Sequence, residues 1–213
     1  MSRDLIGMRI AILAADGVER IELEEPRGAL YGAGALSDVL SLHGGEIQAR
    51  QFDMIPAGTI PVDWVVGEAR ADAYDALLLP GGTVNPDQLR MNADAVGFVK
   101  VFAGTGKPIA AICHGPWTLL EAGLVRGVTL TSWPSLWTDL RKEAPAAAGH
   151  QVGPARNPRS VRPLCQIAVH AAEVRVNDDF HGRLPLVRRA AGAVARAWLP
   201  AGRSAPPAPR RPG

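Results

Sequence analysis

Along the first 133 residues, short uninterrupted apolar runs alternate with segments whose apolar residues recur at helical spacing. Five runs have the length and composition of strands: MRIAILAADG, ALSDVLSL, AYDALLLPGG, KPIAAIC and GVTLTSW. Three segments between them have the apolar spacing of amphipathic helices: RIELEEPRGALYGAG, NPDQLRMNADAVGFVKVFAGTG and GPWTLLEAGL. Continuous apolar strands separated by helices are typical of a parallel sheet that is covered on both faces. The predicted fold is therefore α/β, a three-layer α/β/α sandwich with a flavodoxin-like parallel sheet.

The charge of the chain changes sign near residue 144. Residues 1–144 contain 12 Lys or Arg and 18 Asp or Glu, whereas residues 145–213 contain 11 Arg, 3 acidic residues and 10 of the 18 prolines. We interpret residues 1–200 as one domain that is atypical and Arg/Pro-rich over 145–200, followed by a disordered tail at 201–213. HAAEVRVNDD could supply one strand in the atypical part. The abrupt change suggests either a frame change in the coding sequence or a divergent terminus.

Composition excludes several classes of protein. Two cysteines, Cys113 and Cys165, do not make a disulfide framework, and the N-terminal segment lacks the regions of a signal peptide. No apolar run approaches the 18 or so residues that a membrane span requires, so we expect a cytoplasmic protein without a membrane partner. Arginine scattered among prolines is more typical of a solvated appendage than of a nucleic-acid site, so nucleic-acid binding is not expected. The five histidines lack ligand spacing, and neither a metal nor another cofactor is expected.

The segment AAICHGPW places Cys113 in a turn between a predicted strand and a predicted helix. Gly115 permits close backbone packing after the turn, and Pro116 suits the first turn of a helix. Such a turn can expose a side chain, as in the nucleophile elbow of hydrolases. A buried structural thiol is the alternative. His114 is a candidate partner, although adjacent residues in a tight turn tend to point apart, so His114 could instead serve the substrate or lie on the surface.

A helix start alone would not ionise such a thiol. A free thiol has a pKa of about 8.5, so full ionisation at neutral pH requires a drop of roughly 3 units, or about 4 kcal/mol. A helix N-terminus usually supplies about 0.3–1 kcal/mol. Another group must therefore stabilise the thiolate.

Three further segments are informative together: ILAADGVERIELEEPRGAL, DALLLPGGTVNPDQLR and GKPIAAICHGPWTLLEAGLVRGVTLTSWPSL. They resemble the PfpI intracellular-protease family. Members of this family are relatives of the parkinsonism-associated protein deglycase within the class I glutamine-amidotransferase-like superfamily. The resemblance covers residues from about 8 to 144. It implies that Cys113 is the nucleophile and His114 its partner. The family pattern GxExxE maps onto Gly17, Glu19 and Glu22, which implies that a protonated Glu22 donates a hydrogen bond to the sulfur. A solvent-exposed Glu22 in an acidic helix is the alternative.

The resemblance also implies roles around the PGG turn. Backbone N–H groups of Gly81 and Gly82, together with Gly115 at the elbow, would bind the substrate or an oxyanion, although PGG could also be only a tight turn. Asp87 is the nearest equivalent of an acid that completes a Cys-His-acid arrangement across a subunit interface in archaeal members. Its spacing is one residue longer, and NPD could equally be a helix start. A homo-oligomer, a dimer or higher, is expected.

Three functions follow from a reactive Cys113. The leading one is a stress-protective enzyme of the glyoxalase III or deglycase type, in which the thiolate attacks an aldehyde and His114 or Glu22 moves protons. Its substrate would be a small aldehyde, such as methylglyoxal or glyoxal, or a glycated molecule. An intracellular cysteine peptidase uses the same nucleophile, and a non-enzymatic redox sensor would oxidise Cys113 to a sulfinate. Glutaminase activity is least expected, because the downstream histidine and glutamate are not seen.

Overall fold

The computed structural model describes residues 5–126, 128, 130, 132–143, 166–170 and 173–175. Its strands are β1 (Arg9–Leu13), β2 (Val18–Glu19), β3 (Leu36–Ser41), β4 (Glu46–Gln51), β5 (Ile55–Pro61), β6 (Trp64–Val65), β7 (Ala76–Leu79), β8 (Ile109–Ile112), β9 (Gln166–His170) and β10 (Glu173–Arg175). Its α-helices are α1 (Arg20–Gly32), α2 (Val84–Met91), α3 (Ala93–Gly104), α4 (Pro116–Glu121) and α5 (Trp137–Glu143). Short 3-10 helices occur at Val66–Glu68, Ala71–Ala73 and Pro134–Leu136.

The main sheet has the strand order β10-β9-β8-β7-β1-β3-β6 over the described residues. The strands from β8 to β6 are parallel, as the apolar runs predict, whereas β9 is antiparallel to β8 and β10 to β9. A smaller sheet, in the order β2-β4-β5, contains the hairpin formed by β4 and β5. The parallel sheet with flanking helices confirms the predicted flavodoxin-like α/β fold.

Alternate residues of β1 face two different core clusters. Ala11 and Leu13 lie in a cluster that also contains buried residues of α2, α3 and α4, namely Leu89, Ala95, Phe98, Val99, Phe102 and Leu119. Ile12 lies in a second cluster, with Leu23 of α1 and residues of the hairpin, namely Ile47, Ala49 and Ile60. Because successive side chains of a strand point to opposite faces, this division shows that the sheet is covered on both sides. Cys113 belongs to the α1 and hairpin side.

Two features differ from the elements expected from the sequence. The segment after the PGG turn forms two helices, because Asn92 is extended and its side chain accepts a hydrogen bond from the Ala95 N–H at the start of α3 (2.9 Å). The β4–β5 hairpin was not predicted. Both strands are partly exposed. Because β4 (EIQARQ) is mostly polar and β5 (IPAGTIP) contains glycine and proline, neither has the uninterrupted apolar pattern that identifies the central strands.

Some predictions fall on parts of the chain that the structure does not describe. Three residues of the expected strand GVTLTSW (127, 129 and 131), Cys165, most of the 145–200 segment and the expected tail at 201–213 lie outside the described residues. The strand expected in HAAEVRVNDD corresponds to β10 and the end of β9. None of the helices in the described part of the chain is long and apolar enough to cross a membrane.

Candidate active site

The expected site residues other than Asp87 meet at the carboxyl ends of the central strands. Cys113 directly follows β8, and the Pro80–Gly81–Gly82 turn directly follows the neighbouring parallel strand β7. Glu22 lies in the first turns of α1, which follows β1 and β2. Carboxyl ends of adjacent parallel strands lie at one edge of the sheet, the usual position of active sites in such folds.

Cys113 occupies a strained turn between β8 and α4. Its φ of +56° lies in the left-handed region, which is uncommon for a residue with a side chain and is typical of functional turns. The Gly115 N–H closes the turn by donating to the Ile112 carbonyl at 2.7 Å. A Cβ on Gly115 would contact the Leu79 carbonyl and lie 2.9 Å from that of Ile112, so the backbones approach too closely for any other residue. This geometry is that of the predicted elbow.

The thiol of Cys113 lies between two groups that can form hydrogen bonds. Its Sγ is 3.2 Å from Nδ1 of His114, and a further hydrogen bond joins it to the Glu22 carboxyl. The side chains of the adjacent residues Cys113 and His114 therefore meet rather than point apart. Cys113 is 8% exposed, so the residue is buried but not fully removed from solvent.

Glu22 is buried, in contrast to the surface position that its acidic helix would also allow. It is 6% exposed, and its Oε2 accepts a hydrogen bond from the Gly81 N–H at 2.8 Å. Burial raises the pKa of Glu22 to about 8, and the nearby charge of Glu19 acts in the same direction, while the hydrogen bonds to Gly81 and Cys113 oppose it. Glu22 is therefore mainly protonated at neutral pH and can donate a hydrogen bond to a thiolate.

His114 is fixed on both sides of its ring. Its Nε2 lies 3.1 Å from Oγ of Ser135, and its ring packs between those of Trp117 and Trp133, with centroid separations of 5.9 and 5.6 Å. Burial lowers the pKa of His114, so the neutral imidazole is favoured at neutral pH. With one ring proton, Nδ1–H can donate to a thiolate while Nε2 accepts from the Ser135 hydroxyl.

The glycines of the PGG turn are required by space. A Cβ on Gly82, whose φ is +84°, would lie 2.9 Å from the Glu19 nitrogen. The Gly81 N–H is already bonded to Glu22, and the Gly115 N–H to Ile112. Among the described residues the Gly82 N–H has no hydrogen-bond partner. Oxyanion or substrate binding by these glycines stays a prediction.

Asp87 lies on α2 and contacts Arg90, with Oδ1 3.1 Å from the Arg90 Nε. The Arg90 guanidinium lies 4.6 Å from the centre of the Trp117 ring, which in turn packs against His114. Asp87 therefore connects to the thiol site of its own chain through Arg90 and Trp117. Its predicted role as an acid supplied by a neighbouring chain stays a prediction.

Sequence reasoning missed Asn85 and Ser135. Asn85 is fully buried; its Oδ1 accepts from the Ala15 N–H at 2.7 Å, and its Nδ2 donates to the carbonyls of Pro80 (2.8 Å) and Gly81 (3.0 Å). It thus ties the end of β1 to the PGG turn. The NPD segment indicates only a helix start, and the position of Ser135 in the TSWPSL segment is the sole signal that it could lie near the elbow.

The described residues contain no group of three or more His, Cys, Asp or Glu side chains arranged to hold a metal ion.

Comparison with known proteins adds to this geometry. The family model described as the DJ-1/PfpI family matches residues 8–155. A Pyrococcus abyssi protein named a deglycase is 39% identical over 133 residues, which cover 62% of this chain and 76% of that protein. Bacillus subtilis YraA, whose name proposes a cysteine protease, is 32% identical over 157 residues, covering 70% of this chain and 89% of YraA.

Solved structures show the same fold. The Anabaena variabilis protein with DJ-1/ThiJ/PfpI-like and ferritin-like domains superposes with a TM-score of 0.64 at 28% identity, covering 79% of this chain and 43% of that one. Oxidised Toxoplasma gondii DJ-1 superposes with a TM-score of 0.62 at 21% identity, covering 80% and 82%. The similarity to Toxoplasma gondii DJ-1 supports the fold alone.

Proposed function

This chain belongs to the DJ-1/PfpI family, and on that basis we propose that it is a cysteine-dependent enzyme that acts on reactive aldehydes. It would convert methylglyoxal to lactate, or glyoxal to the corresponding hydroxy acid, or reverse the adducts that these aldehydes form. One observation carries the proposal: the Cys113 thiol lies in an elbow, hydrogen-bonded to the buried Glu22 carboxyl and 3.2 Å from Nδ1 of the His114 imidazole. The deglycase name of the Pyrococcus abyssi relative supports it.

We infer that the Cys113 thiolate is the only charge within the group formed by Cys113, Glu22 and His114. Two ionised groups in a partly buried site cost more than one, and burial acts against the charged forms of both Glu22 and His114. Each neutral group can then donate one hydrogen bond to the sulfur, which supplies the stabilisation that a helix start lacks. In the proposed reactive state, Cys113 is therefore a thiolate that accepts one hydrogen bond from neutral Glu22 and one from neutral His114.

The proposed reaction begins when the thiolate attacks the aldehyde carbon of methylglyoxal. The new C–S bond forms as the carbonyl π electrons move to oxygen, and a proton from Glu22 or His114 completes a hemithioacetal. Transfer of a proton from the sulfur-bearing carbon to the neighbouring carbonyl group, through an enediol, produces a lactoyl thioester. Water then hydrolyses the thioester, which releases lactate and the thiol, so the net change is the addition of one water molecule.

The test compares wild type with Cys113→Ser, on methylglyoxal and separately on a fluorogenic peptide. We expect lactate to form with the wild-type protein and not with the variant, because a serine hydroxyl is a far weaker nucleophile at neutral pH than a thiolate. Lactate formation that persists in Cys113→Ser would contradict the proposal.

A cysteine peptidase is the second candidate, favoured by the similarity to YraA. It predicts Cys113-dependent peptide cleavage without lactate. If neither product forms, and peroxide readily oxidises Cys113, the redox-sensor alternative replaces both enzymes.

The proposal places the enzyme in the cytoplasm as a stress-protective homo-oligomer. An oligomer would allow Asp87 of one chain to approach the Cys113–His114 pair of another. The acidic residue is half-exposed on α2, which leaves it accessible to a second chain. Light scattering of the active protein tests the assembly.

Removal of the Ser135 hydroxyl is expected to have a small, specific effect. Ser135→Ala removes the partner of the His114 Nε2, and a hydrogen bond worth about 1 kcal/mol corresponds to an approximately fivefold loss of kcat. Ser135→Thr keeps a hydroxyl group and should restore most of the activity. Equal losses in both variants would show that the hydroxyl does not hold the imidazole.

A further inference from the structure

The tip of the β4–β5 hairpin has an unusual backbone next to the thiol site. Phe52 and Asp53 are adjacent, neither is glycine, and both have left-handed φ values, of 54° and 63°. A tight hairpin turn can require left-handed φ at consecutive residues, but residues with side chains adopt it at a cost that surrounding contacts help to offset. The contacts of Asp53 therefore indicate what holds the tip in place.

Asp53 binds two other segments of the chain. Its Oδ1 accepts a hydrogen bond from the Thr83 N–H at 2.6 Å, and its Oδ2 accepts one from the Thr83 hydroxyl at 3.0 Å. Its own N–H donates to Oε2 of Glu19 at 3.1 Å. A single residue of the hairpin thus joins the segment after β7 to the start of α1.

Both of these segments carry groups of the thiol site. Thr83 directly follows the Gly81–Gly82 turn, and Glu19 directly precedes α1, which carries Glu22. The segments also bind each other, since the Glu19 N–H donates to the Gly81 carbonyl at 3.3 Å and the Gly81 N–H donates to Glu22. The position of the Glu22 carboxyl therefore depends on the position of the turn.

Helix α2 gives a second reason for a carboxylate at this place. The helix begins after Thr83, whose side chain makes no capping hydrogen bond to it. A negative charge near a helix N-terminus is favourable, and Asp53 provides that charge from a different part of the chain. The hairpin tip thus stabilises the start of α2 together with the PGG turn.

We propose that Asp53 is a positioning residue for the thiol site: its two hydrogen bonds to Thr83 hold the Gly81–Gly82 turn where the Gly81 N–H meets Glu22. The charge of Asp53 also adds to the effect of burial in raising the pKa of Glu22, and it partly opposes the lowering of the His114 pKa by burial. This inference extends the proposed function, but thiol reactivity tests it without any assumption about the substrate.

The experiment is a double-mutant cycle with Asp53→Asn, Thr83→Val and both together. The readout is the midpoint of the pH profile for alkylation of Cys113 by iodoacetamide, with thermal unfolding recorded for every variant. Thr83→Val keeps the Asp53 charge and removes one hydrogen bond to it, which should loosen the turn. We expect the midpoint of the alkylation profile to rise by about one pH unit, which corresponds to a tenfold loss of thiolate at pH values below the midpoint. In the Asp53→Asn background the same substitution should change the midpoint by less than about a third of a unit, because the shared contact is already weakened.

The direction of the midpoint shift distinguishes a positioning role of Asp53 from an effect of its negative charge. If Asp53 acted through its charge alone, Asp53→Asn would lower the midpoint and Thr83→Val would leave it unchanged, which would overturn the proposal. Equal shifts from Thr83→Val in both backgrounds, or lower thermal stability with an unchanged midpoint, would overturn it as well. Asp72→Asn is the control, since Asp72 is exposed and forms its ion pair with the nearby Arg70. Absence of lactate from the wild-type protein would refute the aldehyde reaction but leave this thiol readout intact.

Discussion

Gly81→Ala is expected to slow turnover severely and to destabilise the fold. A Cβ at this position would contact the Glu22 carboxyl, lie 2.6 Å from the Cys113 Cβ and lie 2.9 Å from the Ile112 carbonyl. All three neighbours belong to the thiol site or to the strand that carries it, so the methyl group can be accommodated only by moving them. Overpacking of this kind costs about 1–3 kcal/mol, and a displacement of about 1 Å in a catalytic group can cost about 100-fold in rate.

The matched control is the same substitution at Gly97, within α3. A Cβ there has no atom within 4 Å, so Gly97→Ala adds a methyl group without a clash. Alanine is favoured over glycine in a helix by about 0.5–1 kcal/mol, so this variant should be more stable than wild type and equally active. Lactate formation, Cys113 alkylation and thermal unfolding measure both variants. Near-normal activity of Gly81→Ala would show that the turn has more room than the structure indicates.

The sequence predicts the central sheet because burial determines the pattern of its strands. Strands β1, β7 and β8 are covered on both faces, so each is an uninterrupted apolar run between helical segments. The β4–β5 hairpin lies at the periphery, where exposed positions tolerate polar residues, glycine and proline. Its two strands could therefore not be recognised by the same signal, although the hairpin supplies Asp53.

Sequence pattern also has limited power to identify single residues of the candidate site. Four glutamates occur between residues 19 and 25, and local pattern cannot tell which one is buried. The family pattern selects Glu22, and the structure places it against Cys113. By contrast, Asn85, Ser135 and Asp53 make contacts with residues that lie 70, 21 and 30 positions away in the chain. Such contacts leave no periodic signal, so only the folded structure reveals them.

Glu22→Gln is expected to change the pH dependence of stability. The folded protein holds the pKa of Glu22 at about 8, above its ordinary value of 4.5, so between these two pH values folded Glu22 is protonated while unfolded Glu22 is ionised. The unfolded state then binds fewer protons, and the free energy of unfolding falls as pH rises through this window, by up to about 1.4 kcal/mol per unit. Glutamine does not titrate, so Glu22→Gln should gain stability over wild type progressively from pH 4.5 to about 8.

The same substitution is expected to slow the thiol chemistry while it stabilises the fold. An amide still donates to the sulfur and still accepts from the Gly81 N–H, so Glu22→Gln should keep part of the reactivity of Cys113. Glu22→Asp shortens the reach to the thiol and should lose more, about 10- to 100-fold in alkylation rate at neutral pH, the equivalent of a charged hydrogen bond. Glu25→Gln is the control, because Glu25 is exposed on the same helix. Denaturant unfolding at several pH values measures the effect on stability, and iodoacetamide kinetics measure the effect on the thiol. If the free energy of unfolding of wild type and of Glu22→Gln changed in parallel with pH, Glu22 would be ionised in the folded protein. It would then no longer be a candidate proton donor to Cys113.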